Sequence, residues 1–323
     1  MTTTENTKTE NTKRATVAEK TPLRSPLGVL TTATATHGTG RDDDIPLPRL
    51  PGFVESAFSP LAYEVASRCL SERDGERDGE RDGERDGERD GERDGERGGE
   101  RGGERNGERA VDGSRTAVAL ASLMGDTTTA DLASRRMVSG RVHNPLLFMQ
   151  ATANSVLGHI SREFGITGQM FSLSTLDDPV TELLAMADLL LEDPELDQVL
   201  VVGVELGGGE RLAAAYRELS AVSGGPVPDL PASAALAVAV LLGRPGTGAP
   251  VTVRSTRTYD AAQAAPAAHP GSVQALFDLA VAHRRLLRDG GTHVLVTAPR
   301  TTAFRLSAEQ LPDGNETETH AHQ

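Results

Sequence analysis

The chain has 323 residues, with 33 Lys and Arg against 47 Asp and Glu, and a formal net charge of −14. This acidic balance excludes a typical nucleic-acid-binding surface, because phosphate binding requires clustered basic residues. The single cysteine, Cys69, excludes an internal disulfide framework, and we expect a core position for it and a cytoplasmic protein. We expect neither a signal peptide nor a membrane span, since the longest apolar run, 234–242, is far shorter than the ~20 residues of a membrane helix.

The composition predicts one folded domain between two polar ends. Residues 1–25 are rich in Thr, Lys, Asn and Glu, and we expect them to be disordered; we expect residues 301–323 to be largely disordered. The expected domain, 26–300, is interrupted at 72–109 by tandem Glu-Arg-Asp-Gly units. A glycine in every unit costs about 1 kcal/mol against helix formation, and no apolar face offsets this cost. We therefore predict a flexible, solvated insertion.

Hydrophobic periodicity and turn signals predict strands and helices along the domain. The predicted strands are 27–36, 116–123, 169–175, 198–204, 234–242, 250–258 and 293–297. The predicted helices are 61–70, 129–138, 153–164, 178–191, 212–219 and 272–287, the last with Val273, Leu276, Phe277, Ala280 and Val281 inward. The almost continuous apolar run at 198–204 suits a strand covered on both faces, so we predict a right-handed parallel strand-helix-strand unit with 169–175. The sequence therefore predicts an α/β fold.

Several helix boundaries carry specific signals. Asp126 or a following threonine is placed to cap the helix at 129–138. Gly165 is the usual left-handed residue after a helix, with Ile166 placed for the accompanying hydrophobic contact. Asp178 can cap the next helix, with Pro179 in its first turn.

The succession of NPLLF, ANSVLGHISREFGITG, a short strand and a helix resembles the N-terminal half of β-ketoacyl synthases, the condensing enzymes of the thiolase fold. In that family, a cysteine at a helix N-terminus accepts the acyl group from a carrier protein as a thioester, because the helix dipole favours the thiolate. Counting forward from Gly168, the cysteine position falls on Asp177. A carboxylate cannot form that thioester, so the resemblance implies a chain without the family's nucleophile, and we interpret Asp177 as a helix cap rather than a catalytic acid.

Three other patterns are interpreted as structural. The motif at His37-Gly38-Thr39-Gly40 also occurs in ketosynthases, but there it lies in the C-terminal half, so here it predicts a glycine-rich turn. The triplet at 207–209 lacks the G-K-[ST] of a phosphate loop and predicts a flexible turn. The histidines show no metal-ligand spacing, so we expect no metal site, and we expect no cofactor.

The resemblance implies the role of a short chain-length factor. In type II polyketide systems this subunit lacks the nucleophile, pairs with an active ketosynthase and shapes the tunnel in which the acyl chain grows, so the implied partners are a ketosynthase and an acyl carrier protein. Chain-length factors commonly carry glutamine at the cysteine position, so Asp177 does not support a decarboxylating role. The expected fold is thiolase-like, the N-terminal half of a ketosynthase with a truncated C-terminal part that caps the sheet.

The resemblance also assigns candidate tunnel and interface residues. The strand at 169–175 is the one that pairs with its counterpart across the dimer axis of the thiolase fold. The segment just before the helix at 153–164 would lie near the tunnel. The candidates are Leu147, Phe148, Met149, Gln150, Met170, Phe171, Ser172 and Leu173. For Leu147 and Met149, a place in the chain's own core remains open.

Two other functions remain open. A stand-alone acyltransferase or hydrolase would need a nucleophile and a base, and the hydroxyls of Ser172, Ser174 and Thr175 are not surrounded by a G-x-S-x-G elbow. A structural homodimer derived from a decayed ketosynthase would need no partner.

Overall fold

The computed structural model describes residues 15–17, 21–79, 113–140, 146–174, 178–223, 230–260, 273–298 and 302–308. The strands are β1 (Ala15–Val17), β2 (Leu27–His37), β3 (Thr116–Ala121), β4 (Met170–Leu173), β5 (Gln198–Leu206), β6 (Ala235–Gly243), β7 (Val251–Ser255), β8 (Thr258–Asp260), β9 (Thr292–Ala298) and β10 (Thr302–Ala308). The helices are α1 (Phe58–Gly79), α2 (Thr127–Val138), α3 (Leu146–Gln150), α4 (Ala153–Glu163), α5 (Pro179–Leu190), α6 (Glu210–Ser223) and α7 (Gln274–Asp289).

Eight strands form one mixed sheet in the order β4-β3-β5-β6-β2-β7-β10-β9. The strands β4 and β5 both run parallel to β3, which lies between them, and the remaining strands continue the sheet in antiparallel pairs. The predicted parallel arrangement of 169–175 and 198–204 is therefore confirmed, although the two strands are not neighbours. The short strands β1 and β8 pair with each other in a separate antiparallel sheet.

Helices cover both faces of the large sheet. One hydrophobic core lies between the sheet and helices α5 and α7, and the other lies between the sheet and helices α1 and α4. Successive residues of β5 alternate between the two cores: Val201 belongs to the first and Leu200 to the second. Because both faces are covered, β5 and β6 are almost continuously apolar. The predicted α/β class is confirmed as a three-layer architecture.

The boundary signals read from the sequence are confirmed. Asp126 accepts a hydrogen bond from the Thr129 amide at 3.0 Å and caps α2. Gly165 has a φ of +63°, and Ile166 is buried after it. Asp178 caps α5 by accepting from the Thr181 amide at 3.1 Å. These contacts span only a few residues, which is why local sequence predicts them.

Helix α1 is longer than the sequence predicts. It begins at Phe58, whose amide donates to Ser56 Oγ at 3.0 Å, and it continues beyond residue 70 to Gly79, through the first two repeat units. The helix therefore includes 72–79, where the sequence predicts the start of a flexible insertion. The buried part of α1 nucleates the helix, and each further residue then adds a backbone hydrogen bond, which extends the helix despite the glycines. The rest of the repeat, 80–109, lies outside the described residues.

The C-terminal strands differ most from the prediction. The predicted strand 250–258 is two strands, β7 and β8, which belong to different sheets. The strand β10, which the sequence did not predict, lies between β7 and β9 within the largely polar segment 301–323. The short strand β1 lies within 1–25, where the sequence predicts disorder. Pairing with distant strands stabilises β1 and β10, and such pairing leaves little local signal.

Helix α7 presents a somewhat different face to the core than predicted. Of the predicted inward positions, Leu276 and Ala280 are buried, but Val281 is 55% exposed. The buried stripe instead includes Leu279, His283 and Leu286.

None of the helices in the described ranges combines the length and apolarity of a membrane span.

Candidate functional site

Three parallel strands end at the same edge of the sheet. The register pairs Ala121 at the end of β3 with Leu173 at the end of β4, and β5 runs beside β3 and continues to Leu206. Loops from these ends lead into α2, α5 and α6. Ligands of α/β sheets bind outside the carboxyl ends of parallel strands, so this edge is the candidate site.

Helix α5 is tied to this edge by the carboxylate of Asp178. Its Oδ2 accepts hydrogen bonds from Thr181 Oγ1 at 2.5 Å and from Thr297 Oγ1 at 2.7 Å. Thr297 belongs to β9, at the far end of the strand order, so the sheet curls around its core toward α5. Asp177 occupies the place where, by the resemblance, the family has its cysteine, and it lies outside the described residues. Its role as a helix cap stays a prediction.

The only cysteine of the chain lies in the other helical layer. Cys69 of α1 is fully buried, and its Sγ donates to the Thr31 carbonyl at 3.5 Å. The Thr31 hydroxyl in turn donates to the Cys69 carbonyl at 2.7 Å. The prediction of a core cysteine is confirmed. Cys69 and α5 lie on opposite faces of the sheet. Near the candidate edge, the hydroxyl of Ser174 donates to the Leu123 carbonyl at 2.7 Å and holds two loops together.

A cleft of about 700 Å³ opens between the loops that leave β3 and β5. Helix α2 forms one wall and helix α6 the other, and the apolar lining residues are Met124, Ala130, Leu212, Ala215 and Ala232. Asp131 of α2 forms ion pairs with Arg211 of α6 and, at 3.4 Å, with Arg135, so one carboxylate joins the two walls. The volume is in the range of small-molecule sites, and the lining mixes these apolar residues with polar and charged ones, among them Asp131, Glu210 and Arg211.

The wall formed by α6 depends on two closely packed glycines. A Cβ at Gly207 would lie 1.8 Å from the Pro231 carbonyl oxygen, and one at Gly208 would lie 2.4 Å from Leu212 Cδ2. The Gly207 amide also donates to the Ala234 carbonyl at 2.7 Å. The triplet at 207–209 therefore forms a loop, but close packing explains its first two glycines better than flexibility does. The sequence did not predict the cleft, because its two walls are distant in the chain.

A buried carboxylate lies in β5, the strand that precedes α6. Glu205, near the end of β5, is 3% exposed, and its Oε1 has no hydrogen-bond partner among the described residues. Burial raises the pKa of Glu205 to about 7, although a hydrogen bond from the Val273 amide opposes the shift. Tyr216 of α6 is also buried, and burial together with the charge of Glu205 raises its pKa. In the sequence, the feature that indicates this buried carboxylate is an acidic residue within an apolar strand.

The candidate residues of α3 differ in exposure. Leu147 is 3% exposed, so it fills the chain's own core, whereas Phe148 and Met149 are 48% and 62% exposed. Gln150 donates through Nε2 to the Gly52 carbonyl. Leu146 of α3 and Met170 of β4 are exposed as well, and α4 contacts both elements. We call Leu146, Phe148, Met149 and Met170 the apolar patch.

The strand β4 is the terminal strand of the sheet. It pairs with β3 on one side and with no described strand on the other. Met170 and Ser172 are exposed, whereas Phe171 and Leu173 are half-buried against the core below α5 and α7. A terminal strand presents unpaired backbone groups that can pair with another chain. The exposed side chains of the apolar patch, which include Met170 of this strand, favour an interface at this edge.

The histidines form no metal site in the described part of the chain, where no cluster of His, Cys, Asp and Glu could hold an ion. His37 lies in the predicted turn, with Nδ1 2.8 Å from the Ile45 carbonyl and positive φ angles at Gly38 and Gly40. His159 makes edge contacts with the rings of Phe53 and Tyr63. The histidines at 143, 269, 320 and 322 lie outside the described residues.

Comparisons with known proteins agree with this architecture. Residues 104–231 match the family model for the N-terminal domain of β-ketoacyl synthases. This region includes the segments NPLLF and ANSVLGHISREFGITG. No curated protein shows significant similarity to the chain.

Three solved structures have a similar fold. The ketosynthase (ApeO) in complex with its chain length factor (ApeC) from Xenorhabdus doucetiae matches with a TM-score of 0.50 at 16% identity, covering 87% of this chain and 98% of the matched chain. The ishigamide ketosynthase/chain length factor matches with a TM-score of 0.55 at 11% identity, covering 87% of this chain and 98% of the matched chain. The AntDE:AntF complex is a type II PKS acyl-carrier protein with its ketosynthase bound to the hexaketide. It matches with a TM-score of 0.55 at 12% identity, covering 88% of this chain and 100% of the matched chain.

At these identities the similarity shows the fold alone. The matches extend over most of this chain and nearly all of each matched chain. The resemblance drawn from the sequence is therefore confirmed. The chain has the thiolase-like fold of ketosynthases, and residues 104–231 match the family model for the β-ketoacyl synthase N-terminal domain.

Proposed function

We propose that the chain is a non-catalytic, chain-length-factor-type subunit that pairs with an active β-ketoacyl synthase and shapes its acyl tunnel. The observation that carries this proposal is a ketosynthase fold whose only cysteine is buried in α1, away from the N-terminus of α5. Thioester formation needs a thiol at that terminus. The partner ketosynthase supplies it, and the acyl carrier protein delivers the chain to that partner, in the cytoplasm.

The strand β4 and the apolar patch form the surface that meets the ketosynthase. The free edge of β4 offers backbone hydrogen bonds, which give register, and the apolar side chains give affinity through burial. Phe148, Met149 and Met170 are about half exposed or more, so contact with a partner removes much apolar area from water. Phe171, Ser172 and Leu173 follow the same edge and complete the contact.

The cleft between α2 and α6 receives the far end of the growing acyl chain. It opens at the sheet edge that also carries β4 and the start of α5, and the apolar part of its lining is formed by Met124, Leu212 and three alanines. Packed side chains resist each added methylene, so the walls limit how far a chain extends. The ion pair between Asp131 and Arg211 helps to fix the distance between the walls.

Co-expression with the ketosynthase encoded nearest to this chain tests the proposal. We expect a one-to-one complex by size-exclusion chromatography with light scattering, and elongation of carrier-bound acyl chains only when both subunits are present. A tight homodimer that leaves the activity of the ketosynthase unchanged would contradict the proposal and favour a decayed structural scaffold. An acyl adduct on the isolated protein, seen by mass spectrometry, would favour a stand-alone acyltransferase or hydrolase.

Met170→Glu is expected to weaken the complex by roughly 30-fold, because an interface hot spot contributes about 2 kcal/mol and a buried carboxylate would lack a partner. The dissociation constant is measured by titrating the purified subunits. Val281→Glu is the matched control, since Val281 is 55% exposed on α7 and lies outside the patch. Equal affinity of the two variants would remove β4 from the interface.

Ala215→Phe is expected to shorten the products, because a phenyl ring on the wall of the cleft occupies space that the acyl chain would use. Product lengths are measured by mass spectrometry of the carrier-bound chains. Arg217→Phe is the control, since Arg217 is exposed on α6 and does not line the cleft. If Ala215→Phe forms the complex and gives the wild-type product lengths, the cleft does not receive the acyl chain.

A further inference from the structure

Glu205 lies where the sheet meets two helices. Its side chain is on the face of β5 that packs against α7, because alternate residues of a strand share a face and Val201 and Gly203 belong to this one. The amide of Val273, just before α7, donates a hydrogen bond to the carboxyl. One oxygen of this group, Oε1, is closed off from solvent and has no hydrogen-bond partner among the described residues. A buried oxygen without a partner is unfavourable, and a negative charge on it increases the cost.

Helix α6 covers this carboxyl less firmly than α7 does. At α7 the packing is tight, since a Cβ on Gly203 would lie 2.9 Å from Val273 Cγ1. Among the residues of α6 whose exposure the structure describes, only Leu212 and Tyr216 are buried, and they are about one helical turn apart. Elements with few buried contacts are the first to open locally. Water therefore reaches Glu205 from the side of α6.

The groups around Glu205 do not compensate a negative charge. Tyr216 is the titratable side chain that faces it from α6, and the charge of Glu205 raises the pKa of the Tyr216 hydroxyl, so the two side chains lie close together. Across the sheet, Glu205 pairs with the apolar Leu236 of β6. From α7 it meets the Val273 amide, and no charged side chain within the described ranges contributes to its raised pKa. The ionised carboxylate therefore needs water.

We propose that Glu205 is a pH-dependent positioning residue for α6. The protonated carboxyl keeps α6 closed over β5, whereas the ionised carboxylate favours an opening in which Tyr216 moves away and water enters. Leu212 and Ala215 of α6 line the cleft, so this opening also moves one wall of the cleft. The movement does not depend on what the cleft binds and therefore stands apart from the proposed function.

The two protonation states determine how strongly the opening responds to pH. The pKa of Glu205 is about 7 when the side chain is buried, and its ordinary value of 4.5 applies once water surrounds the group. Opening therefore releases a proton between these values and becomes more favourable as the pH rises. Between pH 6 and pH 8, the equilibrium constant for opening increases about tenfold.

Hydrogen exchange of the full chain at pH 6 and pH 8, measured by mass spectrometry and expressed as protection factors, tests this proposal. We expect the protection of the α6 amides to fall about tenfold at pH 8. Helix α4 packs on the opposite face of the sheet, and its protection should not change, because its local opening does not expose Glu205. Protection of α6 that is independent of pH would overturn the proposal. An equal fall in α4 and α6 would overturn it as well, since this indicates opening of the whole fold.

Glu205→Gln is expected to abolish the pH dependence of exchange in α6, because glutamine has nearly the same shape and does not ionise. Glu218→Gln is the matched control, since Glu218 is exposed on the same helix, and this variant should keep the pH dependence of the wild type. Persistence of the pH dependence in Glu205→Gln, or its loss in both variants, would contradict a specific role of Glu205.

Discussion

Glu205→Gln is expected to stabilise the protein above pH 7 by roughly 3 kcal/mol. Burial raises the pKa of Glu205 from 4.5 to about 7. Between these values the unfolded chain releases the proton and the folded chain keeps it, so the free energy of unfolding of the wild type falls as the pH rises from 4.5 to 7. Glutamine does not ionise, and its carbonyl oxygen can still accept the hydrogen bond from Val273. The gain in the free energy of unfolding therefore increases as the pH rises and is absent below pH 4.5.

Denaturant unfolding of both proteins between pH 4.5 and 8 measures this effect. His283 acts in the opposite direction, because its lowered pKa makes stability fall as the pH drops from 6.5 toward 4. That contribution is common to both proteins and cancels in the difference. Glu218→Gln, at an exposed position of α6, is the control and should give a constant difference from wild type. A constant difference for Glu205→Gln as well would show that Glu205 is ionised in the folded protein.

Phe304→Ala is expected to lower the free energy of unfolding by about 3–5 kcal/mol, the usual cost of removing a buried phenyl ring. Phe304 is 0% exposed and belongs to the core below α5 and α7. It lies in β10, where it pairs with Ser255 of β7 and Leu295 of β9. The substitution therefore leaves a cavity between the sheet and its helices.

Urea unfolding of the full chain measures this loss. Arg305→Ala is the matched control, because Arg305 is the next residue of β10, points to the opposite face and is only half-buried. We expect a loss of less than about 1 kcal/mol for this control, the range of substitutions away from packed sites. If Phe304→Ala costs no more than Arg305→Ala, β10 does not contribute to the core in solution.

The sequence by itself determined the features that depend on neighbouring residues. Asp126 and Asp178 were identified as helix caps because each accepts a hydrogen bond from an amide three residues later. Gly165 was identified as a helix end because it can adopt a positive φ. The apolar run of β5 indicated a strand covered on both faces. The motifs around Gly168 also indicated the ketosynthase fold.

The tertiary structure alone decided the features that join distant parts of the chain. The strand β10 gains its burial from β7 and β9, and the cleft needs Ala130 and Ala215 on two separate helices. His283 and Glu205 were not identified from the sequence, because their burial depends on what packs over them. Leu147 turned inward and Phe148 outward, although both are apolar. Local sequence specifies backbone conformation through short-range hydrogen bonds, whereas burial and strand pairing depend on contacts across the whole fold.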